Sequence, residues 1–274
     1  MKILMFVALV LVSSIGIFAQ DTQPEKKKWF SGMYLQWGYN TEWYTHSTIH
    51  FKGAVDKVSH DFKVFDAVAQ DKPGFHAIWE SPWKMSVPQY NYRVGFYLNK
   101  AKTKAIEINF DHTKYVMNDD QTLHVQGHIG DHYLDKDTLI TNPDFIHFEH
   151  TNGANFYLFN YVQFWPLNNH HKSKFYFVPM VKAGAGFMVP KTDVTLFGKR
   201  LDNKFHLAGY MAGLETGSKF YFAKKLFVEA SAKTGFCNYT NALTVDGGKA
   251  QHSFAFFEVI GSVGWDINFY KHNL

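Results

Sequence analysis

The chain has 274 residues and a formal net charge of +4, with its basic residues dispersed, so nothing in it marks a nucleic-acid-binding footprint. It is 18% aromatic and 19% charged, and after residue 19 it holds no run of about 20 apolar residues that could make a membrane-spanning helix. The single cysteine, Cys237, excludes an intramolecular disulfide framework and reads as a small packing residue.

Met1-Lys2, the apolar run Ile3–Val12 and the closing Ile17-Phe18-Ala19 have the layout of a secretory signal cut after Ala19. Residues 1–19 are therefore assigned to a signal peptide, 20–28 to a periplasmic N-terminal segment and 29–274 to one barrel domain. No cysteine stands near the cut to carry a lipid anchor.

Beyond residue 28 the chain alternates apolar and polar residues with a period of two. A long first strand is predicted over Trp29–Phe51, with Leu35, Trp37 and Tyr39 opposite Tyr34, Gln36, Asn40 and Glu42. A polar loop of about 35 residues follows, carrying a short β candidate at Phe62–Val68. The second strand, Gln89–Asn99, turns at Asn99–Lys102 into the third, Thr103–Met117, where Ile106 and Ile108 oppose Glu107, Asn109 and Asp111.

After a second polar loop, Asn118–Asp144, the fourth strand is placed at Phe145–Trp165. Its apolar side, Phe156, Leu158, Val162 and Phe164, is assigned to the outside. The turn Pro166–Ser173 leads to the fifth strand, Lys174–Val189, whose Pro179 requires a bulge, because proline cannot donate to a ladder. A loop at Pro190–Asn203 precedes the sixth strand, Lys204–Phe222. The seventh, Leu226–Tyr239, and the eighth, Ser253–Tyr270, flank a Gly-rich loop at Val245–Gln251.

Eight strands joined alternately by short turns and long loops make an all-β, antiparallel, up-and-down transmembrane β-barrel; eight is the preferred count and up to ten is compatible with the pattern. Aromatic residues gather near the strand ends as interfacial girdles: Trp29, Phe164, Trp165, Phe175, Phe269 and Tyr270 below, Tyr39, Trp43, Tyr90, Phe148, Phe187 and Tyr239 above.

The signal ending in Phe18-Ala19-Gln20, the eight amphipathic strands and the aromatic last strand resemble the small outer-membrane barrel proteins of Bacteroidota-type bacteria. The resemblance spans nearly the whole mature chain. It implies a Gram-negative outer-membrane location, with outer-membrane lipids and the barrel-assembly machinery as partners, and no specific activity. Other envelope proteins are the further class of partner.

Three constellations could carry chemistry. The inward face brings Arg93, Glu107, Asp111, Lys182, Glu215, Lys219, Glu229, Lys233, Glu258 and Asp266 into one lumen. An eight-stranded barrel is just wide enough for such side chains to fill, so the structural reading is a salt-bridge plug rather than a pore.

The segment from His124 through His128 to His132 spaces three imidazoles four residues apart, on one face if the strand is continuous, with His147 nearby. Divalent-metal capture is the functional reading and a solvated loop the structural one. No other cofactor is implied.

Glu149-His150-Thr151-Asn152-Gly153 faintly resembles the His-x-Ser-Asn-Gly motif of outer-membrane phospholipases and lipid A deacylases. It lacks one residue and has Thr151 for serine, so alternation sends His150 and Thr151 to opposite faces. Asp111-His112 is a general-base candidate on the adjoining strand.

The leading reading is thus a non-enzymatic outer-membrane barrel acting through its extracellular loops. A lipid-modifying enzyme centred on His150 and Asp111, of deacylase, acyltransferase or phospholipase type, is the alternative; a metal- or ligand-binding barrel is the third.

Overall fold

The computed structural model describes residues 29–76, 80, 89–167 and 175–270. The predicted signal peptide and the 20–28 segment lie outside the described residues, as does most of the Pro166–Ser173 turn.

In chain order the strands are β1 (Gly32–Tyr44), β2 (Ser47–Val55), β3 (Val58–Ala67), β4 (Ala69–Gln70), β5 (Tyr90–Tyr97) and β6 (Lys104–Asp111). Then come β7 (Val116–Met117), β8 (Thr122–Ile129), β9 (His132–Leu139), β10 (Ile146–Glu149), β11 (Phe156–Phe164) and β12 (Tyr176–Met188). The chain ends with β13 (Asp193–Leu196), β14 (Lys199–Asp202), β15 (Gly209–Tyr221), β16 (Leu226–Leu243) and β17 (Lys249–Asn268).

Eight of these, β1-β5-β6-β11-β12-β15-β16-β17, form a continuous antiparallel sheet that closes by pairing β17 with β1. The expected eight-stranded up-and-down barrel is the fold. Its outer surface is apolar: Leu35, Tyr92, Ile106, Ile108, Phe159, Val181, Leu214, Phe220, Val228, Phe257, Val259, Val263 and Trp265 are all exposed. Strand parity sends the alternate residues inward, where an eight-stranded lumen leaves room only for packed side chains.

The remaining strands form an ordered cap, and here several expectations fail. The first strand does not run unbroken to Phe51: β1 stops at Tyr44 and β2 departs to pair with β3. Strand β17 makes this possible, pairing with β1 over Phe256–Asn268 and with β2 over Lys249–Gln251. The polar stretch 118–144 is a regular β8–β9 hairpin docked on β3, and 190–203 carries the β13–β14 hairpin. The predicted fourth strand is two, because Gly153 and Asn155 take positive φ between β10 and β11.

The cap shares one hydrophobic core with the barrel mouth. Ile49, Phe51, Phe62, Val64, Val125, Ile146, Phe148, Val194 and Leu196 pack into one buried cluster with Phe156, Leu158, Met211, Phe254 and Phe256 of the barrel mouth. Cap and barrel are therefore one continuous apolar body across the upper rim.

This packing inverts the predicted polarity of the fourth strand. On β11, Phe156, Leu158, Asn160, Val162 and Phe164 point inward and are buried, while Tyr157, Phe159 and Tyr161 face out. Filling the two ends of the lumen outweighs the rule that polar residues line it. For the same reason Phe148 and Tyr239 belong to the cap core and Phe164 to the lower lumen, not to girdles.

Pro179 sits in an unshifted register, Pro179 opposite Ser218, so the expected bulge is absent. Its carbonyl accepts from Trp165 N–H at 2.9 Å, beyond the last β11–β12 pair, Phe164 with Met180. The missing proline N–H therefore falls opposite the residues just past β11, where Trp165 and Leu167 still donate to the carbonyls of Pro179 and Phe177. Gly38 is required by close approach: a Cβ there would lie 2.1 Å from the Gly261 carbonyl oxygen.

Phe62→Ala should leave a cavity in the cap and cost about 3–5 kcal/mol locally. Limited proteolysis should then cleave β2–β3 and β8–β9 while the barrel strands stay protected; uniform loss of protection would contradict a cap that can open while the barrel stays closed.

Candidate functional site

The lumen is layered. Uppermost is the apolar stopper shared with the cap, and lowest is an aromatic layer of Tyr34, Tyr97, Phe164, Tyr221 and Phe227 with Val162 and Met180. Between them lies an ionic layer. Arg93 donates through Nη1 to Glu215 at 2.6 Å and to Glu229 at 2.9 Å. Lys182 Nζ reaches Glu229 at 2.9 Å, Glu107 at 3.1 Å and Glu215 at 3.3 Å. Higher up, Lys233 bridges Asp111 and Glu258, the latter at 2.6 Å. All of these side chains are at most 2% exposed, so each charge depends on its protein partners rather than on water.

Neutral groups complete the shell: Tyr34 donates to Glu107 at 2.7 Å, Asn160 to Glu107 at 3.1 Å and Asn109 to Asp111 at 2.8 Å. Asp266, at the lower end, is held by Tyr97 at 2.8 Å, Tyr221 at 3.0 Å and the half-buried Lys102 at 2.7 Å. Lys219 enters the aromatic layer instead. Its ammonium stands 3.4 Å from the Tyr34 ring centre, 4.2 Å from that of Phe227 and 4.8 Å from that of Phe164, a cation–π enclosure. Sequence reading missed the Phe164 wall of this aromatic box, because the parity of β11 was reversed. It also left out Glu42, although Glu42 shares the inward parity of Gln36 and Asn40.

The rim candidates are dispersed. His150 is fully buried in the cap, 5.0 Å from the Tyr239 ring and 6.0 Å from His252, and burial pushes its pKa down to about 3. Thr151 turns the other way and donates its hydroxyl to Glu149. Asp111 faces the lumen, whereas His112 bonds Asn155 at 2.9 Å and stacks on Tyr90. The four residues share no hydrogen bond among those of the described residues.

The histidine series is split by the Gly130–Asp131 turn, which puts His132 on β9 opposite Ile129 while His128 pairs with Tyr133. The three imidazoles do not share one strand face. His124 is held by Asp135 at 2.9 Å and Asp137 at 3.2 Å. Among the described residues, no group of three or more His, Cys, Asp or Glu side chains is arranged to hold a metal ion.

His147 forms the best-defined surface cluster, with Asp119 at 2.8 Å and Glu149 at 3.5 Å. The Glu149 contact, together with Asp119, raises His147 to about 9 against the cost of burial. Glu149 falls to about 2, because its bonds from His147 and Thr151 outweigh desolvation.

No family model matches the chain, and no curated protein matches it. Among solved structures it is similar to Neisserial surface protein A, at 12% identity and a TM-score of 0.35, over 86% of this chain and 97% of that one. It is similar to Ail, the attachment invasion locus protein of Yersinia pestis, at 9% identity and a TM-score of 0.35, over 86% and 99%. The outer membrane protein OprG from Pseudomonas aeruginosa matches at 8% identity and a TM-score of 0.37, over 87% and 97%.

Two outcomes follow from the geometry. Lys182→Met should destabilise the folded barrel by about 3–5 kcal/mol, because it strands buried carboxylates. Adding Glu107→Gln should recover at least about 1 kcal/mol, read from urea unfolding of the detergent-folded protein. The His147 pairs add stability that is full below pH 6.5 and is lost as pH rises through about 9. Hydrogen exchange of β10 should accelerate between pH 7 and 10 beyond the intrinsic rate, and His147→Ala should abolish that excess.

Proposed function

We propose that this protein is a non-conducting, non-enzymatic outer-membrane barrel that presents an ordered extracellular cap to partners of the cell envelope or the surroundings. One observation carries the reading: the exposed apolar belt encloses a lumen closed twice, by the apolar stopper and by the ionic layer beneath it.

The belt supports membrane residence. Outward side chains such as Leu214, 60% exposed, and Val263, 53% exposed, would be out of place against water over a whole barrel circumference but suit hydrocarbon. The polar turns 98–103 and 222–225 lie at one end and the cap at the other. Short turns on the periplasmic side and elaborate loops outside are the usual disposition, and this supports a cap that faces the cell exterior. Outer-membrane lipids and the assembly machinery are then the obligate partners of the belt.

The cap supports a binding rather than a catalytic role. Its outward face is a firm β surface carrying His50, Lys52, Asp61, Lys63, His124 and His128, already cross-linked by contacts such as His50 to Asp61 at 2.6 Å.

In planar bilayers the purified protein should give no steps above baseline; discrete channels would overturn the reading. On intact cells, protease should cut the cap of the Phe62→Ala variant without lysis. Leu214→Arg should cost about 2–4 kcal/mol of folding stability in lipid vesicles and leave the chain unassembled in cells. Incubation with lipid A or phospholipid should release no acyl chain.

A further inference from the structure

We infer that the upper lumen, just beneath the apolar stopper, is a binding site for one divalent, oxygen-preferring cation of the calcium class, held between Glu42 and Glu258.

The argument starts from charge. Within the barrel, four fully buried cations, Arg93, Lys182, Lys219 and Lys233, with the half-buried Lys102 beside Asp266, face seven buried carboxylates. The acids are Glu42, Glu107, Asp111, Glu215, Glu229, Glu258 and Asp266, two more than the cations among the described residues. The excess has a location. In the middle of the lumen, Arg93 and Lys182 serve Glu107, Glu215 and Glu229, with Lys219 below them. At the top, among the described residues, Lys233 is the single ion-pair partner of Asp111 and Glu258, and Glu42 has no ion pair, its Oε2 accepting from the neutral Tyr44 hydroxyl. Two uncompensated negative charges in a closed space are costly, and a bound cation removes the cost.

Register brings the Glu42 and Glu258 carboxylates together. Glu42 on β1 stands directly opposite Glu258 on β17, and both point inward. Facing residues of an antiparallel pair have Cβ atoms about 5 Å apart.

The second observation is independent of charge. Glu42 Oε1, Asn40 Oδ1, Gln89 Oε1 and Asn91 Oδ1 are buried oxygens of inward-facing residues at this end of the lumen with no hydrogen-bond donor. Asn40 is tied to the pair, its amide donating to Glu258 at 2.8 Å, and Gln89 is tied to Asn40, donating to its backbone carbonyl at 3.3 Å. An array of unmatched acceptors beside two carboxylates is a donor set for a hard cation. Carboxylates supplemented by amide carbonyls suit the flexible, many-oxygen shell of calcium better than magnesium, which demands a tight octahedron. With only two carboxylates and the rest amides, the site differs from a cluster of three acids or histidines.

The test uses the full-length mature protein folded in detergent and stripped with chelator. Calorimetric titration with calcium chloride should show about one equivalent bound, and calcium should raise the thermal midpoint where equal potassium chloride does not. Glu42→Gln should weaken binding at least about tenfold and remove the midpoint shift. It should fold at least as well as wild type in chelator, since Glu42 is paired with no cation. Asn40→Ala should weaken binding without abolishing folding. Absence of calcium heat in the wild type, or calcium binding unchanged by Glu42→Gln, would overturn the assignment. So would a midpoint set by pH alone and relieved by Glu42→Gln, which would give the site to a proton.

Discussion

The ionic layer is the constraint on which the rest of the structure depends. Arg93, Lys182 and Lys233 and their carboxylates are out of contact with water, so each charge must be satisfied by a neighbouring strand. Every such pairing ties one inward residue to a specific residue across the lumen. Slipping any strand by one residue would turn these charges into the apolar belt and leave their partners alone. Closure of the barrel and its strand register are thus fixed by the same contacts that block it.

The apolar layers above and below make that constraint strict. The lower layer surrounds Lys219 with aromatic rings, and the upper layer fuses the barrel mouth to the cap. A wet mouth would let the ion pairs relax into solvent, where they would be worth little. The dry mouth keeps them strong. The tall strands β16 and β17 join the two halves, since β17 serves both the barrel ladder and the cap sheet.

Much of this was legible in the residues. Parity along the first, third, sixth, seventh and eighth strands identified inward positions such as Glu107, Glu215, Lys233 and Glu258, because charge alternating with Val, Ile and Phe leaves little choice of face. Parity failed on β11, where both faces are rich in aromatic and aliphatic residues. The cap was read as loops because its strands alternate weakly and its hairpins are polar outside. Nothing local in 118–144 announces that Val125 will meet Val64. Likewise, the spacing of His124, His128 and His132 says nothing of the turn at Gly130 that separates them.

Sequence alone pointed to the class of the molecule: its period-2 alternation with short turns between strands favours a closed antiparallel barrel. It also picked out the sequestered charges of the lumen apart from Glu42, since side-chain direction along a strand is a local property. Tertiary structure decided which of those charges meet, that the external segments fold into a cap, and that His150 is stored inside it. Those outcomes depend on contacts between residues tens to hundreds of positions apart, set by register and by the volume each layer has to fill.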